Sequence, residues 1–114
     1  MSDDCLFCTF VSREVEPDVV HETSTTLAFR DVNPQAPTHV LVIPKVHHPT
    51  IGDLAAHEPS VVADLAAAAA AVAEQEGLGD GYRLVFNTGP QAGQTVLHVH
   101  GHVIGGRSLD WPPG

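Results

Sequence analysis

The chain has 114 residues, of which 43% are hydrophobic, so it is long and apolar enough for one compact domain with a buried core. Its fourteen acidic and five basic residues give a net charge of -9, which would repel a nucleic acid, and we expect no binding to DNA or RNA. The longest apolar run, residues 65–73, is too short to cross a membrane, and the first four residues lack the basic start of a signal peptide. We therefore expect a single domain over residues 1–114, in the cytoplasm and not attached to a membrane.

Two cysteines that are two residues apart, Cys5 and Cys8, lie near the start of the chain. In a protein of cytosolic character this spacing argues for a metal site or a redox function and against a structural disulfide. A thioredoxin-like function needs a βαβ context, which the sequence does not show. Zinc prefers four sulfur and nitrogen ligands, so a zinc site would need two more side chains. Two free thiols are the alternative.

The elements that follow predict an α+β fold with an antiparallel sheet. Residues 19–22 and 26–30 are short apolar or β-branched runs separated by a polar turn, and residues 38–43 are predicted to form a buried strand that stops at Pro44. A helix is predicted from an N-cap at Ser60 to about Glu76, where Gly77 ends it. Two last strands are predicted at 82–86 and 96–104.

Three histidines alternate along the last predicted strand, His98, His100 and His102, and alternation places them on one face. One explanation is a metal site, but such sites normally add a carboxylate, and residues 81–109 contain none. The other is attack on phosphorus by a neutral imidazole. The preceding loop, residues 87–95, combines glycines with amide and hydroxyl side chains, which suits an anion. The loop and the absence of carboxylates favour a phosphate pocket.

Several motifs run through nearly the whole chain, and their combination is highly specific. They are Cys5–Cys8, Phe29–Val32, Ala36–Lys45, Gly93–Val96, His98–Ile104, Gly105–Arg107 and Trp111–Gly114. With these motifs the sequence closely resembles the histidine triad superfamily, in particular its Hint-like nucleotide-binding branch. The resemblance implies an α+β fold with a five-stranded antiparallel meander sheet and one main helix. It also implies a homodimer in which two sheets join into one of ten strands.

The resemblance implies an enzyme that hydrolyses the P–N bond of purine nucleoside phosphoramidates or related acyl-nucleotides. The ligand would be an AMP- or GMP-type purine nucleotide, and no organic cofactor is expected. His100 would be the nucleophile that carries a nucleotidyl intermediate, His98 and His102 would orient it and stabilise charge, and His39 would lie beneath them. Nucleotide contacts are implied, besides His100 and His102, for Phe29, Asp31, Val32, Asn87, Gly93, Gln94, Thr95 and Val96.

For the cysteine pair, the resemblance implies a structural zinc ion held by Cys5, Cys8, His47 and His98, with His48 as an alternative to His47. The closing Trp111–Pro113 would lie near the partner subunit's site.

Two residues depart from the family pattern. Gly101 stands where a larger apolar residue is usual, so we expect weaker packing on the far face of the strand. Thr95 stands where serine is frequent, which keeps the hydroxyl. Three alternatives stay open at this point: a dinucleoside polyphosphate hydrolase, a nucleotide-sensing module with vestigial activity, and a metal-dependent oxygenase that uses the three histidines as ligands.

Overall fold

The computed structural model describes residues 5–114, and the first four residues, on which the signal-peptide expectation rests, lie outside them. Its elements are α1 (Leu6–Ser12), β1 (Val19–Glu22), β2 (Thr26–Arg30), β3 (Thr38–Pro44), α2 (Ile51–His57), α3 (Pro59–Gln75), β4 (Tyr82–Phe86) and β5 (Gly101–Gly105), with a short 3-10 turn at Pro90–Ala92. None of the helices found in the described range has the length and apolarity that crossing a bilayer requires.

The five strands form one antiparallel sheet in the order β1-β2-β3-β5-β4. The predicted α+β class and five-stranded antiparallel sheet are confirmed. A simple meander is wrong, because β5 inserts between β3 and β4. The reason lies in the side chains: β4 carries the charged Arg83 and has one exposed and four half-buried residues, whereas β5 carries no acidic or basic residue besides His102 and has three buried residues. β5 therefore occupies the interior of the sheet, between β3 and β4, and β4 lies at the edge.

The last strand is shorter than predicted. Residues 96–100 continue the alternation of the sequence but make no ladder with β3 or β4, whose pairing with β5 begins at Gly101. The main-chain N–H of Val99 instead donates to the carbonyl of His48 at 2.9 Å. His98 and His100 therefore precede β5, and only His102 lies on it.

The main helix, α3, begins one residue before the predicted N-cap. Pro59 occupies its first turn, where a missing N–H costs nothing, and Glu58 stands at the cap without a side-chain hydrogen bond, so the prediction of Ser60 as the cap is wrong. Two helices of seven residues, α1 and α2, were not predicted. Each is only about two turns long, and α2 is capped by the hydroxyl of Thr50, which accepts from the N–H of Asp53 at 3.1 Å.

The sheet separates two hydrophobic clusters. On one face α2 and α3 pack against the sheet, through residues such as Leu54, Leu65 and Val103. On the other face α1 brings Cys5 and Phe7 against Phe29 and its neighbours on β2 and β3. In the part of the chain that the structure describes, α1 is the one helix over this second face, and the three histidines lie on the same side.

The expectation of weak packing at Gly101 is wrong. A Cβ built on Gly101 would lie 2.8 Å from the ring of Phe86 and 2.9 Å from Leu84. Phe86 is the cross-strand partner of Gly101, so its ring fills the space that a larger residue at position 101 would take.

Candidate active site and metal centre

His100 lies in the extended segment just before β5 and is 9% exposed. Its Nδ1 is 2.8 Å from the carbonyl oxygen of His98. A carbonyl can only accept, so Nδ1 carries the proton and, in the neutral ring, Nε2 holds the lone pair. The ring of Phe7 packs edge-on against His100 at a centroid distance of 5.2 Å. This arrangement leaves the lone pair of the His100 ring on Nε2.

His102 has its proton on the other nitrogen. The main-chain N–H of Gln35 donates to Nδ1 of His39 at 3.0 Å, which leaves the proton of the His39 ring on Nε2. That Nε2 lies 2.9 Å from Nδ1 of His102, which must therefore accept. Burial, followed by the charges of His100 and His39, lowers the pKa of His102 to about 4, so its ring is neutral at pH 7. His102 is a neutral donor through Nε2.

Asp31 lies beside this pair. Its Oδ2 is 3.4 Å from Nε2 of His39, and its Oδ1 accepts from the N–H of Asn33 at 2.8 Å. Asp31, His39 and His102 are close enough to suggest a second metal site. However, the nitrogen of His39 that faces the other two carries a proton and offers no lone pair. The three groups therefore fit a hydrogen-bonded chain better than a set of metal ligands.

A separate group of four side chains, called the tetrad below, comprises Cys5, Cys8, His47 and His98. Their ligand atoms all lie within 4.8 Å of one another. Nδ1 of His98 is 3.3 Å from Sγ of Cys5 and 3.1 Å from Nδ1 of His47. Nε2 of His98 donates to the carbonyl of Pro44 at 2.9 Å, so the lone pair of the ring points into the tetrad. The residues fit a tetrahedral zinc ion.

The electrostatics of the tetrad fit a cation as well. Burial lowers the pKa of His98 to about 4, which keeps the ring in its neutral, metal-ligating form. Desolvation, followed by the hydrogen bond and charge of Cys5, raises the pKa of the Cys8 thiol to about 11. A bare thiolate is thus disfavoured here, and a divalent cation would reverse that preference.

The structure distinguishes between the two adjacent histidines that the sequence left open. His47 points into the tetrad, with Nδ1 3.3 Å from Sγ of Cys8. His48 points away: its Nε2 is 2.8 Å from a carboxylate oxygen of Glu58, and its ring stacks on His57.

The three alternating histidines, His98, His100 and His102, do not converge on one point, because His98 faces the tetrad and His102 faces His39. This arrangement argues against the oxygenase alternative.

The residues predicted to line the base and ribose site lie on β2 (Phe29), in the loop after it (Asp31 and Val32) and in the segment before β5 (Val96). Phe29 is 3% exposed and packs edge-on against Phe7 and Phe10. Val96 packs against the same cluster. Val32, in contrast, is 100% exposed, so none of residues 5–114 covers it.

The loop before the histidines is held mainly by Gln94. Its Oε1 accepts from the N–H of Gly89 at 3.0 Å, and its Nε2 donates to the carbonyls of Pro49 and Val96. The N–H groups of residues 92–94 also donate to carbonyls within the loop. Gln94 therefore shapes the loop, and an anion would find its donors elsewhere, among Asn87, Thr95 and the histidines.

Sequence reasoning missed three contributors. The N–H of Gln35 and the carbonyl of Pro44 fix ring protons, but they are main-chain groups and have no signature in the sequence. Phe7 packs against both His98 and His100, at 5.9 and 5.2 Å. Its position between the two cysteines was the signal that could have indicated it.

The sequence was compared with those of known protein families. The family described as HIT domain matches residues 12–109. The chain belongs to the HIT domain family.

Relatives of this HIT domain protein cover almost its full length. A purine nucleoside phosphoramidase of Escherichia coli K12 is 43% identical over 110 residues, 96% of this chain and 92% of the relative. A 14 kDa zinc-binding protein of Zea mays is 48% identical over 111 residues, 96% of this chain and 87% of the relative. The crystal structure of a HIT family hydrolase from Legionella pneumophila superposes with a TM-score of 0.93 at 47% identity, covering 97% and 100% of the two chains.

Proposed function

We propose that this HIT domain protein hydrolyses the P–N bond of purine nucleoside phosphoramidates through a nucleotidyl intermediate on His100. The observation that carries the proposal is the hydrogen bond from Nδ1 of His100 to the carbonyl of His98, because it leaves a lone pair on Nε2. A nucleophile in this state needs no further base. The activity named for the Escherichia coli relative supports the choice of substrate.

The role of each histidine in the proposed reaction follows from which of its ring nitrogens carries the proton. Nε2 of His100 attacks phosphorus, the P–N bond breaks, and the amine departs with a proton from solvent. The carbonyl of His98 stabilises the positive charge that develops on the His100 ring. His102 donates through Nε2 to a phosphoryl oxygen, because its Nδ1 is occupied by His39. Water then attacks phosphorus, Nε2 of His100 leaves, and a nucleoside monophosphate is released with a proton.

The nucleotide would lie over the second face of the sheet. The Asp31 carboxylate would accept hydrogen bonds from the ribose hydroxyls, and a purine of the AMP or GMP type would cover the exposed side chain of Val32 and border Phe29. Asn87 and Thr95 would donate hydrogen bonds to the phosphate, and the turn at Gly93, whose own N–H donates within the loop, would only allow its close approach. Gln94 would act through the shape of the loop.

We also propose that the tetrad holds zinc. The name of the maize relative and the lone pair of His98 that points into the tetrad support this. With four protein ligands the coordination shell is closed, so the metal would fix the local fold and would not polarise the substrate.

The sheet has two edges, and they differ in how well they suit pairing with a second copy. The register of β1 shifts between Val19 and His21, an irregularity that blunts an edge. β4 is regular over its five residues, and Tyr82 on it is 41% exposed. We therefore place the homodimer contact at β4, and light scattering should give twice the mass of one chain.

The test of the activity uses adenosine 5′-phosphoramidate and the variant His100→Ala, with His21→Ala on β1 as the matched control. We expect a loss in kcat of at least about 10³-fold for His100→Ala and none for the control. Rapid quenching followed by mass spectrometry should find the nucleotide on His100. Turnover that survives in His100→Ala, or an adduct on another residue, would refute the mechanism.

Two alternatives give different results in the same assay. Faster cleavage of a dinucleoside polyphosphate than of the phosphoramidate would replace the proposed substrate class. Binding of AMP without turnover of either compound would make the protein a nucleotide sensor.

A further inference from the structure

We infer that the tetrad positions the nucleophile, so that zinc bound to Cys5, Cys8, His47 and His98 sets the orientation and the proton position of the His100 ring. The inference rests on the proposed function and adds a form of control to it: metal occupancy would determine how well His100 is prepared for attack.

The connection runs through His98. The side chain of His98 belongs to the tetrad, and its main-chain carbonyl accepts the Nδ1 proton of His100 at 2.8 Å. His98 is completely buried, and Nε2 of its ring is tied to the carbonyl of Pro44. A metal on Nδ1 would fix the remaining side of the ring, and with it the carbonyl that holds His100.

The segment that carries His98 and His100 needs such a restraint because the sheet does not supply one. The ladders of β5 begin at Gly101, one residue after the nucleophile. Upstream of that point, Val99 is tied through its N–H to the carbonyl of His48, the neighbour of the ligand His47. The side chain of His98 and the main chain of Val99 are therefore both anchored to residues 47–48.

The tetrad also fixes the position of Phe7, whose ring packs against His100. Phe7 lies between the two cysteines, and its ring packs edge-on against His98, His100 and Phe29 at 5.2 to 5.9 Å. It belongs to α1, a seven-residue helix that is too short to be stable alone. Sγ of Cys5 caps this helix by accepting from the N–H of Cys8 at 3.3 Å. Release of the cysteines would loosen α1 and remove Phe7 from the His100 ring.

The test uses His47→Gln, because His47 is exposed and its ring contacts Cys8 and His98 at the rim of the tetrad, so its replacement leaves the core intact. Val46→Ala is the matched control, since Val46 is the adjacent residue, 40% exposed and outside the tetrad. His47→Cys is the rescue variant, because it restores a zinc ligand. Each protein is measured for zinc content, for the proton position of His100 by long-range proton–nitrogen NMR, for hydrogen exchange at the N–H of Val99, and for kcat and KM.

We expect wild type, Val46→Ala and His47→Cys to hold one zinc ion per chain and to keep the His100 proton on Nδ1. For His47→Gln we expect loss of zinc, a mixture of the two proton positions, and faster exchange at Val99. The kcat should fall by about 10²-fold, as is usual when a reacting group is displaced by about an ångström, while KM should change by less than about threefold.

The inference is overturned if His47→Gln loses zinc but keeps the proton position of His100 and its kcat, or if the wild-type protein binds no zinc. Failure of the proposed function looks different. In that case the zinc-loaded wild type would not hydrolyse the phosphoramidate, and the NMR and hydrogen-exchange results would still show whether the tetrad controls His100.

Discussion

Replacing Gly101 with alanine should destabilise the fold although it removes no polar group. The backbone of Gly101 does not lie in the left-handed region, so alanine brings no backbone strain. The added Cβ, however, would lie 2.8 Å from the Phe86 ring and 2.9 Å from Leu84, where ordinary contact begins at 3.4 Å. Both side chains would have to move by roughly half an ångström inside the packed far face of the sheet.

The size of the effect follows from two opposing contributions. Overpacking of this kind lowers the free energy of unfolding by about 1–3 kcal/mol. Alanine also reduces the conformational freedom of the unfolded chain, which raises the free energy of unfolding by about 0.4–1 kcal/mol. The free energy of unfolding should therefore fall by about 1–2 kcal/mol, which lowers Tm by roughly 4–8 °C. Gly79→Ala is the control, because nothing lies within 4 Å of a Cβ at that position.

A double-mutant cycle attributes the cost to Phe86. Phe86→Leu alone should cost about 1 kcal/mol through lost packing, and in the double variant Gly101→Ala/Phe86→Leu the two costs should not add. We expect a favourable coupling of about 0.5–2 kcal/mol in urea denaturation. Additive costs, or a Gly101→Ala variant as stable as Gly79→Ala, would show that the Phe86 ring does not fill this space.

Three further predictions concern the site. His39→Ala removes the partner of Nδ1 in His102 and should lower kcat by about 10²-fold with little change in KM; steady-state kinetics at pH 7 measures this, and an unchanged kcat would contradict the proton assignment. Gln94→Ala removes three hydrogen bonds and should cost about 2–4 kcal/mol in chemical denaturation, against none for the exposed Gln91→Ala. Below pH 6.5 the unfolded chain binds a proton at His102 that the folded chain, with a pKa of about 4, does not. The contribution of His102 to the free energy of unfolding is therefore complete above pH 6.5 and is lost as the pH falls to about 4, by roughly 2 kcal/mol after solvent screening is allowed for; His102→Gln should remove this part of the slope.

The strands were predictable where local pattern decides the structure. Residues 19–22, 26–30 and 82–86 are strands as predicted, because alternation and flanking turns suffice there. The segment 96–100 alternates equally well but is not paired, because its hydrogen-bonding partner is the carbonyl of His48, which is remote in sequence. Pairing of that kind depends on the tertiary structure and has no local signal.

The residues of the candidate site could be predicted from the sequence, but the positions of their ring protons could not. The family resemblance of the sequence indicated the members of the tetrad. Spacing alone would not have done so, because Cys5 and His98 are 93 positions apart. Spacing also did not distinguish His47 from His48. That choice depends on Glu58, which binds His48. The proton positions on His39 and His98 depend on the N–H of Gln35 and the carbonyl of Pro44. Every residue type supplies a main-chain carbonyl and every type except proline supplies an N–H, so neither group has a signature in the sequence.

Residues 47–49 serve three parts of the molecule at once. The side chain of His47 belongs to the tetrad, the carbonyl of His48 binds Val99, and the carbonyl of Pro49 binds Gln94 in the loop before the histidines. An insertion or deletion in this connection could not be absorbed locally, because it would misplace all three partners together. Length changes here should therefore be far less tolerated than equal changes in the turn between β1 and β2.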